Sequence, residues 1–168
     1  MTKLPARSRT ALLAACAALA AAPLLAQTPQ APMSPGKGDV IPAFETLGID
    51  GKPVKVDFPK GSKTMLLFFL SGCPTCHKMI PEWNRAFERR AKTLKVVGVI
   101  MDQEPPGFWG TMPISFPVVR SPGREFLNGL HVVRAPLTLR VGDGGKVVDV
   151  ALGLVDPIRL GELFAPPR

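Results

Sequence analysis

The segment TMLLFFLS, residues 64–71, is an almost unbroken apolar run lying between Gly61 and Gly72, and the tetrapeptide Cys73-Pro74-Thr75-Cys76 follows it directly. A short run of this kind, bounded by glycines, suits a strand buried on both faces, as in the middle of a parallel sheet. Beyond Cys73 the apolar residues change period. Met79, Ile80, Trp83, Phe87, Ala91 and Leu94 recur at helical spacing, with Lys78, Arg85, Glu88, Arg89 and Lys92 mostly on the opposite side. KVVGVIM, residues 95–101, then reads as a second buried strand. The pattern therefore constrains the chain to a β-α-β unit whose first strand delivers two cysteines to the start of a helix. Pro81 lies inside that helix and is expected to interrupt and kink it.

The flanking sequence extends this frame. VIPAFETLGIDGKPVKV contains Asp50-Gly51 as a turn and reads as a short extended or hairpin region. A Pro/Gly-rich connection, DQEPPGFWGTMPISFPVV, follows the second strand, and GREFLNGL after it reads as a short helix. PLTLRV and KVVDVALG, joined by GDGG, predict a hairpin. Asp156 as N-cap and Pro157 at the first helical position predict a closing helix through Phe164. The expected fold class is α/β, with a central mixed sheet flanked by helices in the order β-α-β, then β-β-α.

The chain is 168 residues long and opens with Lys3, Arg7 and Arg9, an Ala/Leu run, and then small residues and prolines. That is the build of a secretory signal peptide, over residues 1–26 with cleavage after Ala26. Its apolar run is broken by Pro23 and falls short of the roughly 20 residues that span a bilayer; retention as an uncleaved membrane anchor is the alternative. Cys16, in LAAC, resembles a lipoprotein acylation site but is read as a bystander lost with the signal. Residues 27–38, rich in Pro, Gly and polar side chains, read as a flexible linker, and 39–168 as the folded domain. The formal net charge of +8 falls to about +5 without residues 1–26. No like-charge block or aromatic-interleaved basic stripe is present, which argues against nucleic-acid binding.

Export changes the meaning of the cysteines. Paired cysteines in an oxidising compartment normally become a disulfide. A bond closing so tiny a loop adds little as a brace, and a mature domain of this size holds a core without staples. The pair therefore points to chemistry. A cysteine at a helix start faces unpaired N–H groups and the positive end of the helix dipole, both of which favour thiolate. Side chains at i and i+3 share a helix face, so the sulfurs of Cys73 and Cys76 can meet.

Other readings of the same residues remain open here. Cys73, Cys76 and His77 form the C-x-x-C-H attachment signature of a c-type haem, with Met79, Met101, Met112 or His131 as a second axial ligand. Small c-type cytochromes are mainly helical, whereas this motif lies between strands, and His77 is otherwise a solvated helix residue. Zinc held by Cys73, Cys76, His77 and His131 is disfavoured because His77 follows Cys76 too closely. Cu(I) on the two sulfurs would make a metallochaperone.

The segment FFLSGCPTCHKMIP resembles the active-site segment of thioredoxin-like proteins, specifically the exported TlpA/ResA/MauD type. The resemblance extends over about Gly38–Phe164, and LLFFLSGCPTC is most similar to the MauD type. It implies a thioredoxin-like fold and a periplasmic protein thiol–disulfide oxidoreductase, with Cys73 and Cys76 catalytic and their disulfide as the redox centre, without metal or further cofactor. It implies a cis-proline at Pro136, preceded by Ala135, which with Pro74 and Thr75 would contact substrate. Exported protein disulfides are the implied substrates, in cytochrome c or metalloenzyme maturation. A membrane electron donor and a monomeric state complete the expectation. The chain departs from the family at three places. Leu67 and Met79 stand where relatives place an acid, and Gly72 replaces a tryptophan. Water, or Glu82 one turn beyond Met79, is the expected substitute for that acid. A peroxiredoxin-like peroxidase is the remaining alternative, but Leu66 and Leu70 occupy the places of its peroxide-orienting Pro and Thr/Ser.

Overall fold

The computed structural model describes residues 32–165. The expected signal peptide, its alternative as an anchor, and Cys16 lie outside the described residues. Seven strands and four α-helices are assigned in this region: β1 (Phe44–Leu47), β2 (Pro53–Val56), β3 (Lys63–Phe69), α1 (Pro74–Arg89), β4 (Leu94–Ile100), α2 (Phe108–Thr111), β5 (Val118–Arg120), α3 (Arg124–Gly129), β6 (Leu137–Val141), β7 (Val147–Leu152) and α4 (Pro157–Phe164).

Strands β5-β4-β3-β6-β7 form one mixed sheet. β3 and β4 run parallel, with Leu66 opposite Val97 and Phe69 opposite Ile100. β3 and β6 run antiparallel, with Leu66 opposite Leu139. β3 is thus the central strand, and every residue from Thr64 to Phe69 is buried, as its continuous apolar run requires. Side chains alternate between the two faces. Met65, Leu67 and Phe69 meet Met79, Ile80 and Trp83 of α1 and Leu160, Leu163 and Phe164 of α4. Leu66 and Phe68 share the opposite core with Ile41, Phe44, Val56 and Phe58. Trp83 is completely buried, and its indole N–H donates to Thr138 Oγ1 at 3.1 Å. Truncating an aromatic of this kind to alanine costs about 3–5 kcal/mol.

The closing hairpin and helix follow their sequence signals. Asp156 caps α4 by accepting from the Ile158 and Arg159 N–H groups, with Pro157 in the first turn. The β6–β7 turn brings Gly145, at φ +82°, against the Ile41 backbone, and Ile41 N–H donates to the Gly145 carbonyl at 2.8 Å. A Cβ there would run into the Ile41 carbonyl, so glycine is required by both conformation and space.

Three expectations change. Helix α1 is continuous through Pro81, so the expected interruption is absent, and the missing N–H leaves the His77 carbonyl without its helical partner. Residues 33–38 are not a free linker, because Pro35 is buried, Met33 accepts from Val133 N–H, and Gly38 N–H donates to Val147. The Pro/Gly-rich connection contains a short helix, α2, and a third parallel strand, β5, beside β4.

Candidate active site

β3 ends at Phe69, and the turn Leu70–Gly72 carries the chain to the N-terminus of α1. Cys73 is the N-cap residue, with extended backbone (φ −88°, ψ 112°), and its Sγ accepts from the Cys76 N–H at 3.2 Å. The sulfur thus takes the place of the oxygen that normally caps a helix. Pro74 follows in the first turn, where its missing N–H leaves no helical hydrogen bond unmade. Pro74 is exposed, Thr75 and Cys73 are half-buried, and Cys76 is 0% exposed. Both cysteines are thiols.

The two sulfurs differ in electrostatic situation. Burial, then the hydrogen bond with Cys73, pushes the Cys76 thiol up to about 12; the negative charges of Cys73 and Asp102 add to this, and a hydrogen bond with the Leu70 backbone opposes it. Cys76 therefore keeps its proton at neutral pH. Cys73 is accessible, sits at the positive end of a helix and accepts a backbone N–H, all of which suit a nucleophile.

Opposite the dithiol, the Ala135–Pro136 peptide is cis, and the Ala135 carbonyl lies 3.9 Å from Cys73 Sγ. Pro136 is buried, and its carbonyl accepts from Gly153 N–H at 2.8 Å. The antiparallel pairing of β6 with β3 sets this proline beside the end of β3, so Cys73, Cys76, Ala135, Pro136, Pro74 and Thr75 lie at one end of the sheet.

Ser71 anchors the turn before Cys73. Its N–H donates to Asp102 Oδ1 at 2.8 Å and its hydroxyl to Asp102 Oδ2 at 2.8 Å. Its carbonyl lies 2.6 Å from His77 Nε2, which must carry the hydrogen because a carbonyl can only accept. His77 is therefore not a solvated helix residue: it is half-buried, and its ring lies 6.3 Å from that of Phe108. Asp102 is the site residue that sequence reasoning missed. It follows β4 by two positions, at the end of the sheet where the cysteines emerge. A polar residue just past a parallel strand neighbouring the dithiol strand was its signal.

The expected substitute acid, Glu82, pairs with Arg85 on the exposed side of α1. Leu67 and Met79 are buried in the core, and Met79 Sδ accepts from Val155 N–H at 3.4 Å. This geometry opposes the haem arrangement. A thioether at Cys76 would drive a porphyrin edge into the packed core, His77 Nε2 is already committed to Ser71, and Met79 is enclosed. No group of three or more His, Cys, Asp or Glu able to hold a metal occurs among the described residues. Trp109 donates to Glu104 Oε1 at 3.1 Å and packs on Phe108, which is itself core.

The Redoxin family profile matches residues 36–158. The sporulation thiol-disulfide oxidoreductase A of Bacillus subtilis (strain 168) is 25% identical over 147 residues, covering 83% of this chain and 88% of its own. A solved structure from Chlorobium tepidum, described as a thiol:disulfide interchange protein DsbE, is 28% identical, with TM-score 0.64 over 77% of this chain and 94% of that one. The pneumococcal exposed lipoprotein thioredoxin Etrx1 of Streptococcus pneumoniae strain TIGR4 shares the fold at 22% identity and TM-score 0.62, over 72% of this chain and 97% of that one. With the dithiol on a helix N-terminus and the cis-proline facing it, these likenesses agree with the geometry: the chain belongs to the Redoxin family and is a thioredoxin-like thiol–disulfide oxidoreductase.

Proposed function

We propose that the protein reduces disulfides of exported proteins in the periplasm, with Cys73 as nucleophile and Cys76 as resolving thiol. One observation carries this reading: an accessible sulfur caps a helix and accepts from the backbone N–H of a second cysteine that is fully buried. Thiolate attack by Cys73 on a substrate disulfide forms a mixed disulfide and releases one substrate thiol; attack by Cys76 on Cys73 then releases the other. Ala135 and Pro136 line the approach to Cys73, so an extended substrate segment would lie along their backbone, against Pro74 and Thr75. The MauD-like segment supports a role in cytochrome c or metalloenzyme maturation, with a membrane donor restoring the dithiol. The N-terminal sequence pattern supports export, with residues 1–26 removed or kept as an anchor.

Insulin reduction tests the reaction. The wild type is expected to turn over with dithiothreitol as electron source, and Cys73→Ser to give only the background rate; equal rates would refute the assignment. The reduction potential tests direction. A value near about −270 mV supports a reductant, and one near about −120 mV an oxidase.

A further inference from the structure

Ser71 is the buried member of the turn that leads into the dithiol. It is 5% exposed, while Gly72 beside it is exposed and Leu70 half-buried. A Cβ on Gly72 would meet nothing within 4 Å, so no packing at that position holds Cys73 in place. Hydrogen bonds to Ser71 do so instead. From beyond the end of β4, the Asp102 carboxylate accepts the serine N–H and hydroxyl, each at 2.8 Å. From α1, His77 Nε2–H donates to the serine carbonyl at 2.6 Å. Every hydrogen-bonding group of the serine is thereby engaged. His77 directly follows Cys76, and its ring centroid lies 6.3 Å from that of Phe108. One helix thus carries both the resolving thiol and the group that ties down the turn bearing Cys73.

We infer that His77 is a positioning residue of the dithiol: by holding the Ser71 carbonyl it keeps Cys73 seated over Cys76. The clamp raises the effective concentration of one sulfur against the other. The inference rests on the dithiol mechanism and adds a residue to it. Cys73 Sγ already lies 3.2 Å from the Cys76 nitrogen, in the capping position. Only Gly72 separates Cys73 from the clamped serine. Without the imidazole, the Ser71 carbonyl loses its partner in a buried place, and the turn moves to find water. Each position of Cys73 away from Cys76 then dilutes the pair, and closing the disulfide must restore an order that the clamp supplies in advance. The equilibrium affected is protein dithiol plus glutathione disulfide giving protein disulfide plus two glutathione thiols. One S–S bond forms and one breaks, and the two cysteine protons end on the two glutathione sulfurs. The clamp favours the protein disulfide and so makes the protein a stronger reductant. Loss of the Cys73 helix cap would act in the opposite sense, because that contact favours the thiolate. The sign of the shift therefore separates position from charge.

Equilibration of the full chain with glutathione, read by alkylation and mass, measures this constant. His77→Asn removes the donor, because the new amide is one bond too short to reach the carbonyl. His77→Gln restores it, since its amide nitrogen stands as many bonds from Cα as Nε2 does. His77→Asn should lower the constant roughly five- to tenfold, the weight of one hydrogen bond, which raises the potential by about 20–30 mV. His77→Gln should stay within about twofold of the wild type. Ring closure should slow by the same factor in His77→Asn: once DTNB has joined Cys73, Cys76 attacks that sulfur and releases the second TNB. Urea denaturation of both redox forms supplies the control for a merely structural contact. Such a contact would lower both stabilities equally and leave the constant unchanged. An unchanged or larger constant in His77→Asn would overturn the proposal, as would His77→Gln behaving like His77→Asn. A wild type that forms no disulfide with glutathione disulfide would overturn the dithiol reading itself, and this inference with it.

Discussion

Alkylation of the reduced protein should find one fast sulfur and one slow one. At pH 7 a thiol pushed up to about 12 is ionised to about one part in 100,000, against about 3% for a free cysteine near 8.5. That difference alone slows reaction about 3,000-fold. A more basic thiolate is also a better nucleophile, and a Brønsted slope of about 0.4–0.5 returns roughly 40-fold over this range. The net expectation is that Cys76 reacts about 80-fold more slowly than a free thiol, before its complete burial slows it further. Pulsed iodoacetamide labelling followed by peptide mass mapping measures both sites in one sample. Early time points should show label on Cys73 alone, with Cys76 labelled after denaturation. Comparable rates at the two cysteines, or faster labelling of Cys76, would refute the division of roles drawn from burial and electrostatics.

Three further predictions concern the scaffold. Arg120, hydrogen-bonded to Glu104, lowers the Glu104 carboxyl to about 2. The bond's contribution is therefore present above the ordinary carboxylate value of about 4.3 and is lost as pH falls towards about 2. Because Arg120 is 35% exposed, solvent screening reduces the gain; Glu104→Gln should cost about 1–2 kcal/mol at pH 7, and the gap should close near pH 2, by urea denaturation. Thr64 is buried in β3 with its hydroxyl unpaired; Thr64→Val should raise stability by about 1 kcal/mol, seen as a higher urea midpoint at constant slope. Gly98→Ala would set a Cβ 2.7 Å from the Phe116 ring in the second parallel strand, and a loss of about 1–3 kcal/mol is expected in the same assay.

Much of the architecture was legible because local chemistry and tertiary role agree. The apolar run of β3, the change of period after Cys73, and the Asp156-Pro157 cap each name an element by itself. β5 was not legible: three residues preceded by Pro117 carry no period, and pairing with β4 alone makes them a strand. The dithiol could be read because cysteine is rare in this chain and the spacing is local, and the cis-proline because VVRAPLTLRV resembles the segment that holds it in thioredoxin-like proteins. Asp102 could not be read that way, since the parallel register of β3 and β4 brings it to a serine 31 positions earlier in the chain. Helical spacing similarly made Glu82 the candidate acid, yet its side chain turns outward to Arg85. His77 reads as a surface residue until the Leu70–Gly72 turn returns a carbonyl to it.

Trapping in the native host tests the central claim most directly. Cys76→Ser should arrest exchange with an exported protein covalently joined to Cys73, located by mass mapping and released by reductant. Cys73→Ser should trap nothing. A partner joined to Cys76 in Cys73→Ser, or no adduct with either variant, would contradict the account.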